Sequence, residues 1–313
     1  MKHQGSLFAL RHWPTWFGMG LGCLLGWLPY RLQMWLGRRL GDLAWWIVPY
    51  RRHVAATNLA MSFPELDADT RRRMLRDHFR SVGMGAMETL ICWWAPAGKI
   101  ERLTDMEGLQ HLEAAAARGQ GMLLLSAHFT SLELGVRMAQ LYLKRLGIRT
   151  TAMYRPPHNA VVDTVMRKRR EHHIGGASIP DSDVRGLLRA LKRGDAVWYA
   201  ADQKASNQFS ADLTFFGQPA RTSLATGRLV ARGNAVVVPF FTLRRADNRG
   251  YRLLVQPPLE GFPSGDDEAD AQRLNDMIEA AVREAPAQYF WLHQRYKREG
   301  VDPYRDAPKD PPG

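Results

Sequence analysis

The hydrophobic rhythm of the chain changes twice. From Trp13 to Tyr30 the stretch "WPTWFGMGLGCLLGWLPY" carries no charged residue. As a continuous helix it would extend roughly 27 Å, a little short of a hydrocarbon core of about 30 Å. Four glycines and Pro29 weaken a straight span. The next stretch, "LQMWLGRRLGDLAWWIVPYRR", is apolar on one face and carries arginines on the other, a pattern that predicts an interfacial helix. Residues 51–118 then read as helical. Asp67 or Asp69 stands near a helix start, Arg71, Arg72 and Arg73 lie on a charged face, and an apolar helix stops near Pro96.

Beyond residue 120 short apolar or β-rich runs alternate with amphipathic segments. Strands are predicted at 121–128, 149–155, 196–202 and 235–245, with helices around 131–146, 158–173, 182–193 and 222–232. Such alternation implies a mostly parallel sheet covered on both faces. A strand at 251–258 follows too quickly for a crossover helix and is expected to pair antiparallel. A last helix covers about 267–285. Gly175-Gly176 reads as a loop, and the Pro- and Asp-rich tail from Asp302 as disordered. The expected architecture is α/β: a mostly parallel mixed sheet flanked by helices, with an N-terminal membrane-anchor helix. Residues 1–50 are assigned to the anchor and interfacial helices, 51–300 to the main domain and 301–313 to the tail.

Composition narrows the partners. The formal net charge is +12 with a sequence pI near 10.0. A surplus of that size suits an anionic membrane, a phosphorylated substrate, nucleic acid or an acidic protein. Six of the ten tryptophans fall in the first 46 residues, as in an interfacial aromatic belt. The anchor can therefore span the bilayer or lie in its interface. No A-x-A-like site follows the apolar run, which argues against a cleaved signal peptide. Cys23 and Cys92 have neither disulfide-framework nor zinc spacing.

The candidate chemistry centres on "HFTSLE", which holds His128 and Glu133. On one continuous helix the two would stand about 140° apart, so they can meet only if His128 precedes the helix and the turn folds Glu133 back. Thr130-x-x-Glu133 is also a capping box. Catalytic pair and cap are compatible, and the residues alone leave both open. There is no H-E-x-x-H, no G-x-S-x-G and no Walker A loop, so zincin, serine-hydrolase and P-loop chemistries are excluded by motif. The run Arg167-Lys168-Arg169-Arg170 reads as a solvated helix face, with no nucleic-acid recognition module around it.

"HFTSLE" resembles the H-x4-D/E motif of glycerolipid acyltransferases. Together with "NLAMSFPEL", "SVGMGAMETL", "YRPPHN", "AVWYAAD", "FFGQPARTS", "VVPF" and "PAQYFWLHQRYK", it resembles the Kdo-dependent late acyltransferases of lipid A biosynthesis, lauroyl type, from about residue 8 to 298. The resemblance implies acyl transfer from an acyl-carrier-protein thioester to a 3-hydroxyl on an acyl chain of Kdo-lipid IVA, at the cytoplasmic side of a bacterial inner membrane. It implies no cofactor and no metal. Partners would be acyl carrier protein, the lipid acceptor and an anionic membrane surface, not nucleic acid. His128 would be the general base and Glu133 its orienting carboxylate. Arg155 matches a position associated with substrate phosphate, and its alternative is an ion pair. Asp202 matches an acidic position expected to orient Arg155 or a substrate hydroxyl. Thr222 would contact phosphate from a helix N-terminus, or simply cap that helix. His293 is expected to pack rather than react. The loop "KASNQFSADLT" after Gln203 departs from the glycine-containing loop of many relatives. Other readings are an acyltransferase for a different lipid A position, chain length or membrane lipid, and a non-catalytic protein that binds anionic lipid.

Overall fold

The computed structural model describes residues 7–205 and 208–306. Three helices open the chain: α1 (Trp13–Trp27), α2 (Tyr30–Ile47) and α3 (Pro49–Ser62). Pro29 directly precedes α2, and Pro49 occupies the first position of α3, where its missing N–H costs nothing. The long α4 (Ala68–Trp94) begins at Asp67, whose carboxylate accepts the Thr70 amide at 2.8 Å, and ends just before Pro96. α5 (Ala97–Leu103) follows.

Next come β1 (Thr104–Glu107), α6 (Leu109–Ala117), β2 (Gly121–Ser126), α7 (Leu132–Leu143) and β3 (Thr150–Tyr154). After them run α8 (Ala160–Ile174), β4 (Gly175–Pro180), α9 (Val184–Lys192) and β5 (Ala196–Ala200). A hairpin, β6 (Ser210–Phe215) and β7 (Gln218–Ser223), stands apart from the main sheet. The chain closes with α10 (Ala225–Gly233), β8 (Ala235–Arg244), β9 (Tyr251–Val255) and α11 (Asp267–Glu284).

The seven-stranded sheet has the order β1-β9-β8-β2-β5-β3-β4, parallel at every junction except β8–β9. The expected parallel sheet and its antiparallel closing strand are both present. β2 is buried along its whole length, as a central strand covered on two faces must be. Strand alternation sends Leu123 and Leu125 into one core layer and Met122 and Leu124 into the other.

Five points of the expected fold are corrected. β1 interrupts the stretch read as wholly helical, and the β6–β7 hairpin was not foreseen. Gly175 ends α8 at φ 72° and, with Gly176, opens β4 instead of a loop. The tail is ordered as far as it is described. The Tyr304 hydroxyl donates to Asn58 Oδ1 at 2.6 Å and the ring is buried; residues 307–313 lie outside the described residues. Finally, among the described residues no helix is long and apolar enough to cross a membrane, so the spanning version of the anchor falls. α1 stops at fifteen residues, roughly 22 Å of helix, because Pro29 and the turn at Leu28 end it.

α1 and α2 instead lie against α4 with their apolar outer faces open: Phe17 is 77% exposed and Trp46 72%. Glycines set the closeness of the α2–α4 crossing. A Cβ on Gly41 would stand 2.2 Å from the Phe79 carbonyl oxygen, and one on Gly83 2.1 Å from that of Gly37. Backbone cannot yield as a flexible side chain can, so Gly41→Ala is expected to destabilise the fold by about 1–3 kcal/mol. Thermal unfolding in detergent checks this, and an unchanged Tm would contradict the crossing.

Candidate active site

β2 and β5 are parallel neighbours in a register that sets Ser126 opposite Ala200. Both strands end at that pair, and two residues further along each chain segment His128 and Asp202 come together at the carboxyl ends, where open α/β sheets gather ligands. Asp202 Oδ1 lies 2.7 Å from His128 Nδ1, and Oδ2 accepts the His128 backbone N–H at 3.0 Å. The carboxylate is 1% exposed and the imidazole 25%. Burial pushes the Asp202 carboxyl up, but the His128 charge, the two hydrogen bonds from His128 and one from Tyr289 outweigh it and hold the pKa near about 2. Burial likewise opposes charge on His128, and Asp202 overcomes it, so the imidazole pKa is raised above its ordinary 6.5. Nδ1–H donating to Asp202 leaves the Nε2 lone pair as the ring's proton acceptor.

The loop carrying His128 is pinned by a distant segment. Phe290 N donates to His128 O at 2.8 Å, Thr130 N to Gln288 O at 2.8 Å, and Phe129 bridges Tyr289. His293, from the same segment, accepts the Lys204 amide at 2.9 Å through Nε2, and burial lowers its pKa to about 4. It packs, as expected.

The hydrogen bonds of Glu133 go to Trp93 and Arg170 and not to His128. Glu133 sits in the first turn of α7, where Oε1 accepts Trp93 Nε1–H at 3.0 Å and Arg170 Nε–H at 2.8 Å, while Oε2 meets Arg170 Nη2. Burial would raise the Glu133 carboxyl, but Arg170 and then Trp93 hold it below its ordinary value. No hydrogen bond joins Glu133 to His128 among the described residues. The capping box is also absent. Thr130 Oγ1 is 2.7 Å from Ser81 Oγ, and Ser131, the true cap position, sends its hydroxyl to Thr242 O. A buried guanidinium competes successfully for a carboxylate that a backbone amide would otherwise receive, since the charged pair offers two charge-assisted bonds. Arg170 therefore leaves the solvated face assigned to its basic run; it is the residue that reasoning from sequence missed.

His128, Glu133, Arg170 and Arg155 all border one cleft of about 410 Å³, whose apolar wall includes Val136, Met166, Ile174 and Trp198. Arg155, past the end of β3, is exposed and has no ion pair among the described residues, so the alternative offered for it does not hold. Asp202 orients His128 and not Arg155. Thr222 is outside this cleft. It lies within β7, 2% exposed, where its hydroxyl donates to Ala220 O and accepts from Asn275 and Arg295. α10 begins only at Ala225, with Leu224 at its N-cap, so Thr222 does not cap that helix. Residues 206 and 207, in the divergent loop, lie outside the described residues. Among the described residues no cluster of His, Cys, Asp and Glu could hold a metal ion.

Because the His128 pKa is raised by Asp202, the imidazole is neutral only above that raised value, and a role as general base would require the neutral form. The acid limb of the kcat/KM profile is expected above pH 6.5 in the wild type. Asp202→Asn removes the carboxylate and leaves burial, so the limb should move below pH 6.5, with a rate loss of about 10²–10⁴. An unmoved limb would show that Asp202 does not set this proton affinity. The depressed Asp202 also stabilises the fold above its ordinary pKa of about 4, a contribution lost as pH falls through about 2. Separately, Arg170→Gln leaves Glu133 buried and unpaired, and should lower stability by about 3 kcal/mol, seen as an earlier unfolding midpoint.

Residues 1–298 match the family described as bacterial lipid A biosynthesis acyltransferase. The chain is 35% identical over 301 residues to the lipid A biosynthesis palmitoleoyltransferase of Escherichia coli K12, covering 96% of each chain. It is also 35% identical over 303 residues to that organism's lipid A biosynthesis lauroyltransferase, covering 96% of this chain and 97% of the relative. Its identity to the lipid A biosynthesis myristoyltransferase of the same organism is 25%, over 94% of this chain and 91% of the relative. By the extent of these matches the chain belongs to the bacterial lipid A biosynthesis acyltransferase family and is an O-acyltransferase.

Proposed function

We propose that the protein transfers a fatty acyl chain from an acyl-carrier-protein thioester to a 3-hydroxyl on an acyl chain of Kdo-lipid IVA. The observation that carries this reading is the His128–Asp202 pair opening onto an apolar cleft with an unpaired guanidinium, Arg155, among its lining residues. His128 Nε2 takes the proton of the acceptor hydroxyl as its oxygen attacks the thioester carbonyl. Asp202 balances the imidazolium that forms. A tetrahedral oxyanion develops beside the first turn of α7, whose N-terminal dipole favours negative charge. Collapse of the intermediate breaks the C–S bond, and the proton on His128 passes to the departing thiolate. The acyl group goes straight to the acceptor, so no protein nucleophile is assigned.

Arg155 has the geometry to take a phosphate of the acceptor in two parallel hydrogen bonds. Glu133 and Arg170 act as a rigid polar wall of the cleft, holding each other. The exposed faces of α1 and α2 lie in the cytoplasmic interface of the inner membrane, Trp13, Phe17 and Trp27 from α1 and Trp35 and Trp46 from α2 entering the headgroup boundary. Asn159, at the start of α8, donates to Thr15 Oγ1 at 3.1 Å and so joins the helix that lines the cleft to the lipid-facing α1.

Equal identity to a palmitoleoyltransferase and a lauroyltransferase makes both chains reasonable donors. The test is acylation by detergent-purified protein of Kdo-lipid IVA with a panel of acyl-carrier-protein thioesters, read by mass spectrometry. Wild type should add one acyl mass, and His128→Ala should lose about 10²–10⁴ of the rate while remaining folded. Full activity in folded His128→Ala, or no product from any donor, would overturn this reading.

A further inference from the structure

We propose a second anion site, distinct from the cleft: a recess between α2 and the β8–β9 turn that binds the phosphate of an anionic bilayer lipid through Arg31, Arg38 and Arg249. The recess measures about 480 Å³ and is lined by these three guanidinium-bearing residues with Trp35, Asp247 and Asn248. Arg31 and Arg38 are seven residues apart on α2, nearly two full turns, so they share one face, and Trp35 falls between them. Arg249 comes from the turn that follows β8.

Two observations point to a ligand. First, the positive charge is in surplus: three guanidiniums share the recess with one carboxylate, Asp247, which the Arg245 guanidinium holds first and the Arg249 guanidinium reaches only through space. Among the described residues none of the three arginines has an ion pair; Arg38 donates only to Asn248 Oδ1, at 3.2 Å. The carboxylate of the recess is already engaged, since Asp247 Oδ2 meets Arg245 at 2.9 Å and Oδ1 accepts the Arg249 backbone amide. Asp42, one turn further along α2, pairs with Arg39 and Arg80. Three like charges sharing a recess repel until an anion joins them, and guanidinium geometry matches phosphate oxygens.

Second, the recess borders the open apolar face. Around α2 the buried positions Met34, Gly37 and Gly41 face α4, and the exposed apolar positions Leu32, Leu43, Trp46 and Ile47 form a stripe away from them. Arg31, Trp35 and Arg38 run along the edge between these sides. Arginines flanking an exposed tryptophan at the border of an apolar stripe stand at headgroup depth when the stripe enters lipid. A lipid phosphate therefore suits the recess better than a soluble anion, which would gain nothing from Trp35.

The inference rests on the α1–α2 face meeting a membrane, and the experiment separates the two. Partitioning of the full chain is measured on phosphatidylcholine vesicles and on vesicles containing phosphatidylglycerol, at about 0.1 M salt. Binding to neutral vesicles tests the apolar seat; the increment given by phosphatidylglycerol tests the recess. The increment should fall about a hundredfold in Arg31→Gln/Arg38→Gln/Arg249→Gln, each arginine being worth about 1 kcal/mol at such a surface. It should persist in Arg185→Gln/Lys192→Gln/Arg232→Gln, which removes equal charge from exposed positions on α9 and α10. Neutral-vesicle binding should be the same in both variants, which also certifies their fold. Equal loss in both triples would reduce the effect to net charge and overturn the site. No phosphatidylglycerol increment would overturn it too. Displacement of the wild type from phosphatidylglycerol by millimolar inorganic phosphate, at constant ionic strength, would assign the recess to a free anion and overturn the lipid assignment.

Discussion

The parallel register of β2 on β5 is the constraint from which the chemistry follows. Two strands paired so that Ser126 faces Ala200 must deliver the residues two steps further on to the same place. Hydrogen-bonded strands lie under 5 Å apart, close enough for a histidine and an aspartate to meet without strain. Slippage by one residue would turn Asp202 to the opposite face. What protects the register is ordinary core packing: Leu123, Leu125 and Val197 on one side, Met122, Leu124 and Trp198 on the other, all buried. The His128–Asp202 geometry thus rests on buried apolar residues, of which Trp198 alone among these six also lines the cleft.

α4 is the second organising element, because it supports the site and the exposed apolar face of α1 and α2 together. One side receives α2 at backbone-to-backbone distance through Gly37, Gly41 and Gly83. Further along, its Glu88 forms a buried pair with Arg244, with Oε1 to Nε at 2.7 Å, and the Tyr251 hydroxyl donates to the same carboxylate. Arg244 Nη1 also reaches Ser81 of α4, whose hydroxyl meets Thr130 in the loop of His128. At its end Trp93 holds Glu133. A single long helix, tied at Ser81, Glu88 and Trp93 to the surroundings of the cleft, therefore sets the distance between the apolar stripe and His128.

Much of this was legible in the sequence, for identifiable reasons. The strands at 121–126, 196–200 and 235–244 are near-continuous apolar runs, which only a doubly covered sheet produces. His128 was recognised because its motif is short and local. Its true partner was less visible because Asp202 is 74 residues away and pairing is decided by strand order, which no periodicity reports. Yet the signal existed: His128 and Asp202 each stand two residues beyond the end of an apolar strand. Glu133 misled because local spacing offered a capping box, whereas a long-range guanidinium wins the carboxylate. Arg170 looked like one more charge in a basic helix, and only the packing of α8 against α7 distinguishes it from Arg167 and Lys168. Thr222 misled for the converse reason, since a polar residue near a helix start reads as a cap until a strand is found to run through it. β1 and the β6–β7 hairpin lack the apolar density that marks strands buried on both faces.

The loop of His128 is held by residues 288–290, about 160 positions later in the chain. The base is therefore seated only after nearly all of the chain has been synthesised and the last helix has folded back. Closing so long a loop is entropically slow and must follow assembly of the sheet. During synthesis, then, the apolar face of α1 and α2 emerges first, and the loop of His128 is the last part of the molecule to be seated.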